Sequence, residues 1–203
     1  MSGRFLRLAG AAGACAFWGG LAAAGPVTIN FDAVDTSRGS VTGAAVEKYL
    51  AGYGIAVVEQ KSIGGKAALT IEPTTPSTGF SASSYPNVFH QTGANGPISF
   101  TIRFAHPLRR FSFTRAQLVA GPNGITHPGW SAEVLDAKGR VIGKPAGEDM
   151  IRSFVTVPAR SFSFDATAND PISMLKVSAD DKNFTAFSSV VLDDFQLTSS
   201  DAK

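Results

Sequence analysis

The sequence predicts an all-β protein, an antiparallel jelly-roll β-sandwich of about ten to twelve short strands with at most one short helix. From Val27 onward, apolar and polar residues alternate in short runs bounded by Gly, Pro, Asn and Asp, which is the period of half-buried strands. The composition agrees. The 203 residues include 21 Gly, 11 Pro and 15 Phe, are 44% hydrophobic and only 17% charged, and so fit neither a long coiled coil nor a disordered chain.

The first segment reads as an address. Arg4 and Arg7 precede an apolar stretch from Leu8 to Ala24 that closes on Ala22-Ala23-Ala24 before Gly25-Pro26, the pattern of a cleaved secretory signal peptide. Export to the periplasm or beyond follows, with residues 25–203 as one domain and no membrane span after cleavage. The leader holds the single cysteine, Cys15, so the rest relies on its core rather than on disulfides and cannot be a thiol enzyme. It also holds two of the 18 basic residues, leaving 16 against 16 acidic ones. That neutral balance argues against a nucleic-acid partner.

Strands are expected over Val27–Phe31, Ile55–Val58, Ala68–Ile71, Ile98–Phe104, Phe111–Leu118 and Ser131–Leu135. Further ones are expected over Val141–Ile142, Phe154–Val157, Phe162–Phe164, Met174–Val177 and Val190–Leu197. In Ile98–Phe104 every even-numbered residue is large and apolar and every odd one polar between them, so one face packs and the other meets solvent. Asp136-Ala137-Lys138-Gly139 suits a hairpin, with glycine at the position that needs positive φ. Ala44–Ala51 alone has helical spacing, pairing Ala45 with Tyr49 and Val46 with Leu50. Arg109 and Arg110, with Arg103 and Arg115, read as a solvated sheet face. Between Pro73 and Pro97 lies a proline-, glycine- and hydroxyl-rich segment in which only Val88–His90 suggests a strand. A loop that long in a compact domain is either functional or a cover folded over an edge.

Familiar catalytic signatures are missing. There is no nucleophile elbow, no HExxH and no phosphate-binding loop, and His90, His106 and His127 lack the close spacing of zinc ligands. Glu133 near Trp130 could serve one half of a glycosidase carboxylate pair, but its outward strand position makes a solvated face the simpler account.

Three stretches carry a resemblance. The opening VTINFDAV with YLAGYGIAVV, the central ISFTIRFAHPLRRFSF with WSAEVLDAKGRVIGK, and the closing SSVVLDDFQLT are similar to secreted bacterial jelly-roll domains. These resemble galactose-binding and carbohydrate-binding modules and the ectodomains of PEP-CTERM-type surface proteins. The resemblance implies a non-catalytic module for saccharide or a cell-surface component. A structural or self-assembling surface protein is the alternative, and a glycoside hydrolase comes third. It also implies a structural Ca²⁺ between Asp32 and the pair Asp193-Asp194. Alternation aims Asp193 inward, so either metal or hydrogen-bond donors must meet its charge. Candidate sugar contacts are Trp130, the one tryptophan outside the leader, with Phe80, Tyr85, Asn87, His90 and Asn95 of the long loop.

Overall fold

A computed structural model describes residues 25–62, 68–74, 79–94, 97–167, 169–179, 186–188 and 190–200. The leader, Asn95 and the glycine pair before Lys66 lie outside the described residues. The chain runs through β1 (Val27–Ile29), β2 (Val41–Thr42), α1 (Ala44–Ala51), β3 (Ile55–Ser62), β4 (Ala68–Pro73), β5 (Phe80–Ser81), β6 (Asn87–Ala94) and β7 (Ile98–Arg115). It continues through β8 (Gln117–Leu118), β9 (Ile125–His127), β10 (Trp130–Leu135), β11 (Val141–Glu148), β12 (Ile151–Ser153), β13 (Arg160–Asp165), β14 (Ile172–Ala179), β15 (Ala186–Ser188) and β16 (Leu192–Ser199). Named strands outnumber the expectation because several span only two or three residues.

One layer has the order β11-β10-β14-β7-β3, and the other β13-β7-β16-β6-β4-β2, with β1 on the β6 side of β16. β7 belongs to both layers. Its first half pairs with β14 and β3 and its second half with β13 and β16, all antiparallel. The expected strands Ile98–Phe104 and Phe111–Leu118 are therefore mostly one strand of 18 residues, turning the corner near Ala105-His106-Pro107.

The alternation of β7 builds the interior. Ile98, Phe100, Ile102 and Phe104 from one layer, and Phe111 and Phe113 from the other, are all buried. They join an aromatic cluster in which Phe31 stacks on Phe89 at 5.2 Å and meets Phe195 edge-on at 5.1 Å. Trp130 meets Phe162 edge-on at 4.9 Å. Such pairs each add about 0.5–1.5 kcal/mol beyond the area they bury. The helix α1 sits where expected and closes one edge with buried Val46 and Leu50.

Three expectations are corrected. The segment from Pro73 to Pro97 is not one long loop, because β6 is a core strand paired with β4 along its length. Its predecessor, Gly79–Pro86, is a strap across the outer face of the same layer. There Phe80 and Ala82 cover Val88, Ala116 and Val191 in a small second core. Phe154–Val157 is not a strand but a turn and extended chain, with a single bridge from Val157 to Leu118. Arg115 is not on a solvated face. It continues the inward series of Phe111 and Phe113 and is 1% exposed.

Candidate functional site

The first and last strands bring their acidic motifs together beside the strap. Phe31 and Asp194 both adopt left-handed backbone conformations, with φ of 64° and 50°, which cost a non-glycine residue energy unless packing fixes them. For Phe31 the fixing is visible. The amide of Asn87 donates to the carbonyls of Phe31 and Val34, at 3.0 Å each, and accepts from Thr36 at 2.8 Å. Asn87 is thus a buried staple for the turn after β1, with no group to spare for a saccharide.

Asp193 is fully buried, and its carboxylate holds the strap. Oδ2 accepts the backbone N–H groups of Ser83 and Ser84 at 2.8 and 2.9 Å, and Oδ1 accepts the Ser84 hydroxyl at 3.1 Å and the Asp194 N–H at 2.8 Å. Asp32 accepts from the Asn30 amide at 2.8 Å and the Asn87 N–H at 3.3 Å. Burial pushes Asp193 up to about 7; the Ser84 N–H pulls down and the Asp194 charge pushes up again. Burial, opposed by the Asn87 N–H and helped by Asp194, raises Asp32 as well.

This donor set does not suit Ca²⁺. Both oxygens of Asp193 already face two donors each, so a cation there would meet N–H groups where it needs lone pairs. Among the described residues no group of three His, Cys, Asp or Glu side chains is placed to hold a metal ion. Thermal unfolding with EDTA, then with added calcium, is expected to give the same midpoint throughout. A rise on calcium addition would restore the metal reading.

The proposed sugar contacts do not form one patch. Phe80, on the strap, lies edge-on to His90 at 6.0 Å. His90 is fully buried and donates from Nε2 to Glu72 at 2.9 Å. Tyr85 is 76% exposed at the strap's end, just before the cis Tyr85–Pro86 bond. Trp130 stands apart between the layers, 5% exposed, as a core residue rather than a displayed platform.

What surrounds Trp130 is a polar network that sequence reasoning missed. Arg115 from β7 reaches across the sandwich to Glu148 at the end of β11, with Nε–Oε2 2.9 Å and Nη2–Oε1 3.3 Å, and its Nη1 donates to the Ala116 carbonyl at 2.8 Å. The Trp130 indole donates to the same Oε2 at 3.0 Å, and Arg160 lies 3.6 Å from Oε1. Burial alone would raise the Glu148 carboxyl, but the Arg115 hydrogen bond and charge, with Trp130 and Arg160, bring it below its ordinary value. Nearby His127 donates from Nδ1 to the Pro128 carbonyl at 3.0 Å. Burial, outweighing that bond and aided by the Arg115 charge, lowers it to about 4. It is neutral near pH 7.

Outside this network lies an open depression of about 620 Å³, counting its solvent-open space, lined by Gly129, Trp130, Ser131, Glu148, Asp149, Met150 and Ser178. Gly147 lets its walls approach, since a Cβ there would overlap the Trp130 carbonyl oxygen. Asp149 is exposed at the rim, next to Glu148, whose oxygens already have donors. The run Glu148-Asp149-Met150 was the available sequence signal, two adjacent acids at the end of a strand.

No family model and no curated protein matches this sequence. Among solved structures, a cyclase from Fischerella sp. TAU, in complex with 4-(1H-indol-3-yl)butan-2-one, is similar over 87% of this chain and 99% of its own, with 14% identity and a TM-score of 0.51. The CBM22-1 xylan-binding domain of Paenibacillus barcinonensis Xyn10C is similar over 87% of this chain and 95% of its own, with 13% identity and a TM-score of 0.38. At these identities the likeness is one of fold, and what this chain shares with the cyclase is the β-sandwich itself.

Proposed function

We propose that the chain is an exported, non-catalytic binding module for saccharide or a cell-surface component, and that the depression at Trp130 is its contact surface. The supporting observation is the mixture of groups on that wall. Met150 offers apolar contact, Ser131 and Ser178 offer hydroxyls, and Asp149 offers a carboxylate, the combination a sugar's apolar face and polar edge require. Binding is favoured over hydrolysis because both oxygens of Glu148 are engaged by Arg115, Trp130 and Arg160, so it offers Asp149 neither a proton donor nor a free basic oxygen as a partner.

Calorimetric titration with a panel of neutral pentose and hexose oligosaccharides tests the reading. At least one is expected to bind, and Asp149→Ala to weaken it by about tenfold or more, the worth of a hydrogen bond to a charged group. Unchanged affinity in Asp149→Ala, or no binding across the panel, would sink the proposed site. Export is tested by the mass of the secreted product, expected to begin at Gly25.

A further inference from the structure

Residues 25–203 hold no cysteine, and of the three methionines Met1 falls in the leader, so the sulfur open to oxidation is that of Met150 and Met174. Met174 is shielded twice. It pairs across β14 with Leu135 on one side and Arg103 on the other and is 7% exposed. Its sulfur also accepts from Arg103 Nη2 at 3.9 Å. Thioether oxidation begins when a sulfur lone pair attacks an electrophilic oxygen, and positive charge grows on sulfur as it does. A guanidinium engages that lone pair and opposes that charge.

Met150 has neither shield. It belongs to the two-residue link between β11 and β12, is half-buried, stands outside the buried cluster and lines the Trp130 depression. Gly129 lets that link come close, since a Cβ there would lie 3.3 Å from the Met150 nitrogen and 3.6 Å from the Glu148 carbonyl oxygen. The backbone of Met150 is thereby held at the wall of the depression. Its chain neighbour is the exposed Asp149 carboxylate, whose charge favours the positive sulfur that Arg103 opposes at Met174. Access and charge therefore select the same methionine.

We propose that Met150 is a reversible oxidation site, taken to the sulfoxide ahead of Met174 by oxidants of the peroxide class, and that the change turns the apolar part of the depression polar. The sulfur lone pair attacks one peroxide oxygen, the O–O bond breaks, a sulfur–oxygen bond forms, and the other oxygen leaves as water. Sulfur is oxidised by two electrons and the peroxide is reduced by two. A methionine sulfoxide reductase with a thiol donor reverses the step, returning the thioether and water and leaving the donor as a disulfide. The sulfoxide places a polar acceptor where the thioether offered apolar contact. That consequence rests on the saccharide reading of the depression, and the choice of Met150 over Met174 does not.

Graded hydrogen peroxide treatment of the purified protein, followed by peptide mass spectrometry and by titration with the oligosaccharide panel, tests this. Met150 is expected to gain one oxygen several-fold faster than Met174. The oxidised protein should bind about fourfold more weakly, the worth of one CH₂ no longer removed from water, and should regain its affinity after reductase treatment. Its unfolding midpoint is expected to stay in place. In Met150→Leu, whatever its starting affinity, peroxide should leave binding unchanged. Oxidation of Met174 as fast as Met150 would overturn the site. Unchanged affinity after oxidation, a loss that persists in Met150→Leu, or a loss matched by a fallen midpoint would overturn its effect on the contact. If the reduced protein binds no saccharide, the reading of the depression fails, and the peptide masses still decide the modification.

Discussion

Glu148→Ala is expected to destabilise the fold by about 3–5 kcal/mol, the cost of removing one partner from a buried ion pair. Arg115 is 1% exposed, and without Glu148 its guanidinium would keep only the Ala116 carbonyl among its hydrogen bonds. The Trp130 indole would lose its acceptor at the same time. The pair ties β7 of one layer to β11 of the other, so the loss falls on the sheet interface. Replacing both Arg115 and Glu148 by methionine should cost far less than Glu148→Ala, because no orphan charge remains. Urea unfolding at pH 7 measures all three proteins. A loss below about 1 kcal/mol in Glu148→Ala would show that Arg115 finds water, and that the network is not as closed as its distances suggest. The pH sign follows from the lowered carboxyl. Its contribution is present above the ordinary glutamate range and is lost as pH falls through the depressed folded value.

Asp193 should behave in the opposite way. Its folded value is raised to about 7, so the stability tied to its protonated form is fully present below about pH 4 and is lost as pH rises through 7. The clasp tolerates a proton. Oδ1–H can donate to Ser84 Oγ, which itself lies 3.5 Å from the Asn30 carbonyl, while Oδ2 keeps the N–H groups of Ser83 and Ser84. Asparagine imitates that form toward the strap, but its Nδ2 has no lone pair for the Asp194 N–H that Oδ1 accepts at 2.8 Å. Asp193→Asn is therefore expected to hold the strap at a smaller cost than Asp193→Ala and to flatten the pH dependence between 4 and 7. Asp193→Ala leaves the strap without its acceptor and should cost about 2–3 kcal/mol at pH 5, with faster proteolysis near Ser83. If Asn and Ala prove equally damaging at pH 8, the strap depends on the charge itself and the protonated clasp is wrong.

Much of the architecture could be read from pattern. Alternation placed Ile98–Phe104 correctly, the four-residue spacing placed α1, and Asp136-Gly139 marked the hairpin between β10 and β11. Alternation also aimed Asp193 inward, where the Ser83, Ser84 and Asp194 donors meet its charge. What escaped was whatever depends on partners remote in sequence. His90 and Asn87 look like loop residues until Glu72, Thr36 and the Phe31 carbonyl supply their bonds across neighbouring elements. Both faces of β6 are covered at this point, so its pattern does not alternate cleanly. Arg115 was grouped with nearby arginines when its parity with Phe111 and Phe113 already placed it inside. The lone Trp130 looked like a platform because nothing local shows that its indole bonds to a carboxylate 18 positions later.

The shared strand β7 makes the two layers one cooperative unit. Its first half is bonded into one layer and its second half into the other, so slow hydrogen exchange from the middle of each half, at Ile102 and Phe113, is expected to report global opening rather than local fraying. Folding must first gather partners from residues 55–62, 160–165, 172–179 and 192–199 around it, a topology of distant pairings that forms slowly. A ligand that bridges the two halves of β7 therefore protects both layers at once.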